Sequence, residues 1–253
     1  MGIRDALVTR DNYFHREIKS YLLSTKDAPP TEEELKEKLV ANKEGILYPF
    51  HPSGVNECAR YNQYDMVGVE GAPNFGLREI QYLERGTANH DVWLDMFKKV
   101  GFRVRELPPF EFTNPSVRSY RGGDWAAFNE EDGKEYLFEW KSTTSYKSWA
   151  EWHHQVQWQL YSHAYGLHDG YIVKQNPNDW NLVFIKMKYD KDFIENLFNW
   201  MRWIEKMSID RQLIERDDKC GAGRPWKESC RRYDFCWGSL GDKIFINNNV
   251  NGS

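Results

Sequence analysis

Gly122-Gly123-Asp124-Trp125-Ala126-Ala127-Phe128, then the turn Glu131-Asp132-Gly133, then Glu135-Tyr136-Leu137-Phe138-Glu139-Trp140-Lys141-Ser142, is the stretch that decides the fold. Its two halves read as neighbouring strands of a hairpin. Alternate residues of a strand share a face, so Glu139 and Lys141 point one way while Phe138 and Trp140 give the other face an apolar surface. Asp124 follows two glycines, where a backbone or ligand can come close. If the halves pair, two carboxylates and an amine converge. Close carboxylates repel unless a cation lies between them, and hard oxygen donors suit Mg²⁺ or Mn²⁺. Lys141 beside such a site would orient or help deprotonate water and offset charge at a phosphate. The competing reading is a surface hairpin whose alternating charges face solvent.

Outward from the hairpin, the pattern predicts strands at Phe102–Leu107, Val117–Phe128 and Tyr136–Lys141, forming an antiparallel meander with Pro- and Gly-marked turns. Upstream, a long helix is expected over Phe75–Val100, ended by Gly101. Its stripe Leu83, Thr87, His90, Leu94, Phe97 turns His90 toward the apolar face. Downstream come a helix at Ser148–Leu167, strands Gly170–Lys174 and Leu182–Met187, and a helix over Asp192–Arg216. This order implies an α/β fold with a mixed central sheet flanked by helices. Two polar helices at 3–25 and 31–42 read as an accessory arm within residues 1–52. Residues 53–240 read as the main domain, with a Cys-rich segment near its end, and 241–253 as a disordered tail.

The whole chain limits the function classes. Its 253 residues support a sizeable core, and 34 Lys+Arg against 38 Asp+Glu, a net charge of −4, exclude a uniformly basic polyanion binder but not a local basic groove. No apolar run approaches the ~20 residues of a membrane helix, and the N-terminus lacks a signal-peptide core, so a cytoplasmic protein is expected. The 4 Cys fall as Cys58 alone and then Cys220, Cys230 and Cys236 in a C-x9-C-x5-C pattern. Four thiolates in that layout fit a Cys₄ metal centre tying the start of the domain to its finish; zinc and unpaired thiols are the alternatives.

Four blocks in order resemble the PD-(D/E)XK nuclease superfamily, in particular its RecB-like iron–sulfur exonuclease branch, which includes the AddB nuclease domain, CRISPR adaptation nucleases and phage exonucleases. They are Arg85-Gly86-Thr87-Ala88-Asn89-His90, Asp124, Glu139-Trp140-Lys141 and Gln157-Trp158-Gln159-Leu160-Tyr161. The resemblance implies a restriction-endonuclease-like core. It also implies that His90, Asp124, Glu139 and the Trp140 carbonyl hold Mg²⁺ or Mn²⁺, with Asp124, Glu139 and Lys141 catalytic. Gln157 and Tyr161 would contact DNA and steady Lys141, although Gln155 resembles a paired-glutamine form and competes with Gln157. A [4Fe–4S] cluster on Cys58, Cys220, Cys230 and Cys236 is implied as well, with nine residues after Cys220 where two are usual.

Trp149 and Trp152, at i and i+3 beside Lys147, are candidates for stacking on bases of a single strand, and Arg231 and Arg232 for a basic surface along the DNA. His153 and His154 are expected to face solvent or phosphate, and Trp200 and Trp203 to fill core. The expected activity is a metal-dependent DNA exonuclease acting at ends or on single strands, in viral or bacterial DNA replication, recombination or degradation. A structure-specific endonuclease on the same core and a non-catalytic DNA-binding recombination module are the alternatives.

Overall fold

The computed structural model describes residues 47–68, 90–120, 123, 125–143, 147–176, 181–215 and 236. Helix α1 (Ala59–Met66) and helical segment α2 (90–100) precede β1 (Arg103–Glu106), β2 (Phe110–Thr113), β3 (Ser116–Ser119), β4 (Trp125–Asn129) and β5 (Lys134–Ser142). Then come α3 (Trp152–Tyr165), β6 (Asp169–Gln175), β7 (Leu182–Lys188) and α4 (Lys191–Ile209). The expected arm helices, the Cys-rich segment except Cys236, and the tail lie outside the described residues. No helix among the described residues is long and apolar enough to cross a membrane.

The main sheet has five strands in the order β1-β4-β5-β6-β7. The quoted stretch forms the expected hairpin, pairing Trp125 with Phe138 and Asn129 with Lys134. Its turn is local chemistry. Gly133 takes φ +71°, Gly133 N–H donates to the Asn129 carbonyl at 3.0 Å, and the Asn129 and Asp132 side chains accept from Glu131 and Lys134 N–H. Strands β5 and β6 are parallel, from Leu137 opposite Gly170 to Ser142 opposite Gln175, and α3 supplies the crossover such a pair requires. β7 returns antiparallel on β6.

The meander is where expectation and structure differ. The stretch 117–128 is not one strand. β3 ends at Ser119 and pairs with β2 in a separate ribbon, while β4 begins at Trp125 and pairs with β1. Period-two alternation marks extended chain without naming its partner, so nothing in the pattern set β2 and β3 apart as a ribbon of their own. Phe50 bridges to Val117 on the ribbon and is buried in the largest core cluster.

Three layers result. On one face, Leu107, Ala126, Leu137 and Ile172 of the sheet region pack with Trp158 and Tyr161 of α3. Behind α3, Val156 and Leu160 meet Ile194, Leu197, Met201 and Ile204, a stripe of α4 with spacings of three and four that buries one side of that helix. Each fully buried apolar side chain there contributes about 1.5–3 kcal/mol. Asp190 starts α4 by accepting from Phe193 N–H at 2.9 Å. On the other face, Trp93 of α2 stacks on Trp140 at 4.7 Å, and Trp140 on Trp125 at 5.5 Å, with Phe138 and Val173 completing the cluster. A mixed sheet flanked by helices on both faces matches the restriction-endonuclease-like arrangement.

Candidate active site

Strand β5 is buried on both faces through its middle and emerges at Lys141 and Ser142. Glu139 is 1% exposed and its Oε1 accepts from Lys141 Nζ at 2.7 Å, as residues two apart on one strand face can. Lys141 Nζ, on a side chain 19% exposed, also donates to Gln157 Oε1 at 2.6 Å. Gln157 Nε2 in turn donates to the Tyr161 hydroxyl at 3.2 Å, one turn along α3. Carboxylate, amine, amide and phenol therefore form one hydrogen-bonded row where β5 leaves the sheet. Gln155 is elsewhere: its Nε2 donates to the Ala150 carbonyl at 2.8 Å. The glutamine that meets Lys141 is Gln157.

Gly123 stands against this row. A Cβ there would lie 3.1 Å from Leu107 Cδ1 and 3.3 Å from Tyr161 Cδ2, so the missing side chain lets the Tyr161 ring approach. Its N–H donates to the Tyr165 hydroxyl at 3.0 Å, which itself donates to the Pro108 carbonyl at 2.6 Å. Burial raises the Tyr165 phenol above its ordinary range.

A second charged group lies beside the first. Lys174 of β6 is the in-register neighbour of Lys141 and is 1% exposed. Its Nζ donates to the Trp149 carbonyl at 2.7 Å and pairs with Glu151 Oε2 at 2.6 Å. His154 Nδ1 meets the same Glu151 oxygen at 3.0 Å. Burial, reinforced by the Lys141 charge, pushes the His154 imidazole down to about 3, against the expectation that it faces solvent. Glu151 falls to about 2: burial opposes ionisation, but the Lys174 hydrogen bond and charge outweigh it. Burial also lowers His153, with Lys141 adding to the effect. Composition and motifs did not single out Lys174 or Glu151. The available signal was a lysine inside the apolar run Tyr171-Ile172-Val173-Lys174, since parallel strands covered on both faces are usually unbroken in apolar character.

The other expected site residues divide. Asp124, Arg231 and Arg232 lie outside the described residues. The His90 ring meets Trp125 edge-on at 6.5 Å, on the aromatic face, whereas Glu139 and Lys141 leave the opposite face. Trp140 is fully buried in that aromatic cluster. Trp149 precedes α3 rather than lying on it, is 59% exposed, and has Lys147 Nζ 5.6 Å from its ring centroid. Trp152 instead packs edge-on against Trp200 at 6.1 Å, and Trp203 is exposed rather than core.

The [4Fe–4S] cluster on Cys58, Cys220, Cys230 and Cys236 is corrected by the structure. Among the described residues no group of three or more His, Cys, Asp or Glu side chains is placed to hold a metal ion. Cys58 sits at the N-cap of α1, its N–H donating to Asn56 Oδ1 at 2.9 Å, and Cys220 and Cys230 lie outside the described residues. Cys236, 9% exposed, packs with Tyr64 and Val67. Of the expected Mg²⁺ or Mn²⁺ set, His90, Glu139 and Trp140 are among the described residues and Asp124 is not.

The sequence matches no protein-family model and no curated protein. Among solved structures, it is similar to SSO0001 at 19% identity and TM-score 0.46, covering 82% of this chain and 93% of that one. An alkaline exonuclease from Laribacter hongkongensis (LHK-Exo) is similar at 14% identity and TM-score 0.47, over 69% of this chain and 94% of that one. The same exonuclease in complex with dAMP gives 14% identity and 0.45, over 71% and 95%. All three TM-scores lie below 0.5, so the function rests on the geometry of the site.

Proposed function

We propose that the protein hydrolyses phosphodiester bonds of DNA, at ends or in single strands, as a metal-dependent exonuclease. The observation that carries this is the row Glu139, Lys141, Gln157, Tyr161 at the open end of β5. A lysine side chain has three N–H donors, and among the described residues two are committed, to Glu139 and Gln157. The third is left for a phosphate oxygen or an attacking water, and the first two fix its direction. The exposed Trp149 beside Lys147 offers a π-face and a positive charge to an unpaired base and its backbone. Tyr161 and Gln157 keep Lys141 in place, and Arg231 and Arg232 belong to the same reading as backbone contacts.

A divalent cation, when bound, supplies Lewis-acid polarisation of the phosphate. The donor chemistry that fits Mg²⁺ or Mn²⁺ is hard oxygen, which Glu139 offers and Asp124, one residue before Trp125 in the chain, would supplement. His90, whose ring meets Trp125 edge-on, belongs to the same reading as a nitrogen ligand.

The test is cleavage of an end-labelled single-stranded oligonucleotide and of circular single-stranded DNA, each with Mg²⁺, with Mn²⁺ and with EDTA. Loss of label from the linear substrate alone supports an exonuclease, and cutting of the circle indicates an endonuclease. Lys141→Ala and Glu139→Gln should each slow cleavage at least 100-fold. Binding of DNA without cleavage under every condition, or full activity in either variant, overturns the reading.

A further inference from the structure

We propose that Lys174 is a positioning residue for this site: by fixing the start of α3 to β6, it holds Gln157, and through Gln157 the amine of Lys141, in the working arrangement. The inference rests on the nuclease reading above for its kinetic consequence, and on geometry for the rest.

A lysine in the middle of a covered sheet is an expensive choice unless its charge is paired and its donors are used. Lys174 meets both conditions with partners from one short turn, the Trp149 carbonyl at 2.7 Å and the Glu151 carboxylate at 2.6 Å. Glu151 occupies the N-cap position of α3, with extended backbone at φ −64° and ψ 152°, yet its side chain makes no capping hydrogen bond. An acidic residue there ordinarily caps its own helix. Here the carboxylate is turned away to Lys174 and His154, so the helix start is tied to the sheet instead of to itself.

The tie matters because of what α3 carries. Gln157 lies less than two turns beyond Glu151, and its Oε1 is 2.6 Å from Lys141 Nζ. Lys141 and Lys174 are in-register neighbours on parallel strands, so both bridges from the sheet to α3 spring from the same level. One lysine reaches forward to the helix interior and the other backward to its first residue. Fixing the second sets where Gln157 stands relative to the first.

The full chain, with Lys174→Met and the double replacement Glu151→Leu/Lys174→Met, carries the experiment. The double variant removes both charges together, so it keeps the test available should the single variant fail to fold. Two readouts are taken: kcat and KM on a short single-stranded oligonucleotide, and acetic anhydride labelling of Lys141 relative to the exposed Lys186, followed by mass spectrometry. In the double variant kcat should fall at least 10-fold with KM changed less than 2-fold, and relative labelling of Lys141 should rise at least 3-fold. Parental kcat and parental labelling in the double variant would mean the pair only stabilises the fold, and the proposal is overturned. If the parent protein cleaves no DNA, the nuclease reading fails and the labelling alone decides the positioning role.

Discussion

Two lysine–glutamate pairs lie side by side in this protein, and they are built in opposite senses. In the first, the carboxylate of Glu139 is buried and the amine of Lys141 is partly open. In the second, the amine of Lys174 is buried and the Glu151 carboxylate is the more exposed partner, shared with His154. A buried carboxylate that holds a lysine at the surface leaves the cation able to meet an outside ligand. A buried lysine whose donors end on a carbonyl and a carboxylate of one turn spends its hydrogen bonds on the scaffold. The same two residue types thus serve chemistry in one place and architecture in the other, and only exposure separates them.

The two pairs are neighbours because β5 and β6 keep register from Leu137 opposite Gly170 onward, so breaking that register should have the largest effect. A Cβ on Gly170 would fall 2.0 Å from the Leu137 carbonyl oxygen, a backbone atom that cannot step aside. Gly170→Ala is expected to destabilise by about 3 kcal/mol or more, lowering Tm by roughly 10 °C in calorimetry and disabling both pairs at once. A parental Tm would show that β5 and β6 are not paired this way.

Gln157→Leu should separate the pairs by touching only the first. It removes the acceptor of a hydrogen bond from a charged donor, of about 1.5–3 kcal/mol, so kcat is expected to drop roughly 10- to 100-fold. Gln155→Leu, which loses a bond to the Ala150 carbonyl and none to Lys141, should change kcat less than about 2-fold on the same argument. Equal losses in the two variants would remove Gln157 from the site.

Acid should act on the second pair, and more gently. His154 is held well below its ordinary 6.5, at about 3, so the unfolded chain takes up a proton that the folded one refuses. Its contribution to stability is complete above pH 6.5 and is lost as pH falls toward 3. Glu151 acts in the same direction over a lower window, complete above 4.5 and lost toward about 2. Urea unfolding at pH 6.5 and pH 5 should therefore differ by on the order of 1–2 kcal/mol more in the parent than in His154→Gln. Comparing the two proteins cancels the contributions of His51, His153 and His163, which burial also lowers. Identical pH slopes would place His154 in solvent.

Much of this site was legible in one line of sequence. The alternation around Glu139 put it on a face with Lys141 and put Phe138 and Trp140 on the other, and the hairpin followed from Glu131-Asp132-Gly133, because strand period and turn chemistry are local properties. The helical offset of four likewise put Gln157 and Tyr161 in contact. The cysteines misled. Spacing along the chain shows which thiols exist, not whether they converge, and among the described residues no group of three or more metal-ligating side chains forms.

By itself the sequence determined the β4–β5 hairpin, the strands β6 and β7 and the helices α3 and α4, since each depends on periodicities of two or 3.6 within a short span. Tertiary structure decided which strands are neighbours, pairing β1 with β4 and setting β2 and β3 apart as a separate ribbon, and which of Gln155 and Gln157 reaches Lys141. It also decided that Lys174 is buried against Glu151 across the β5–β6 crossover. Burial and pairing between distant segments depend on how the sheet and α3 close on each other, and no local pattern encodes that closure.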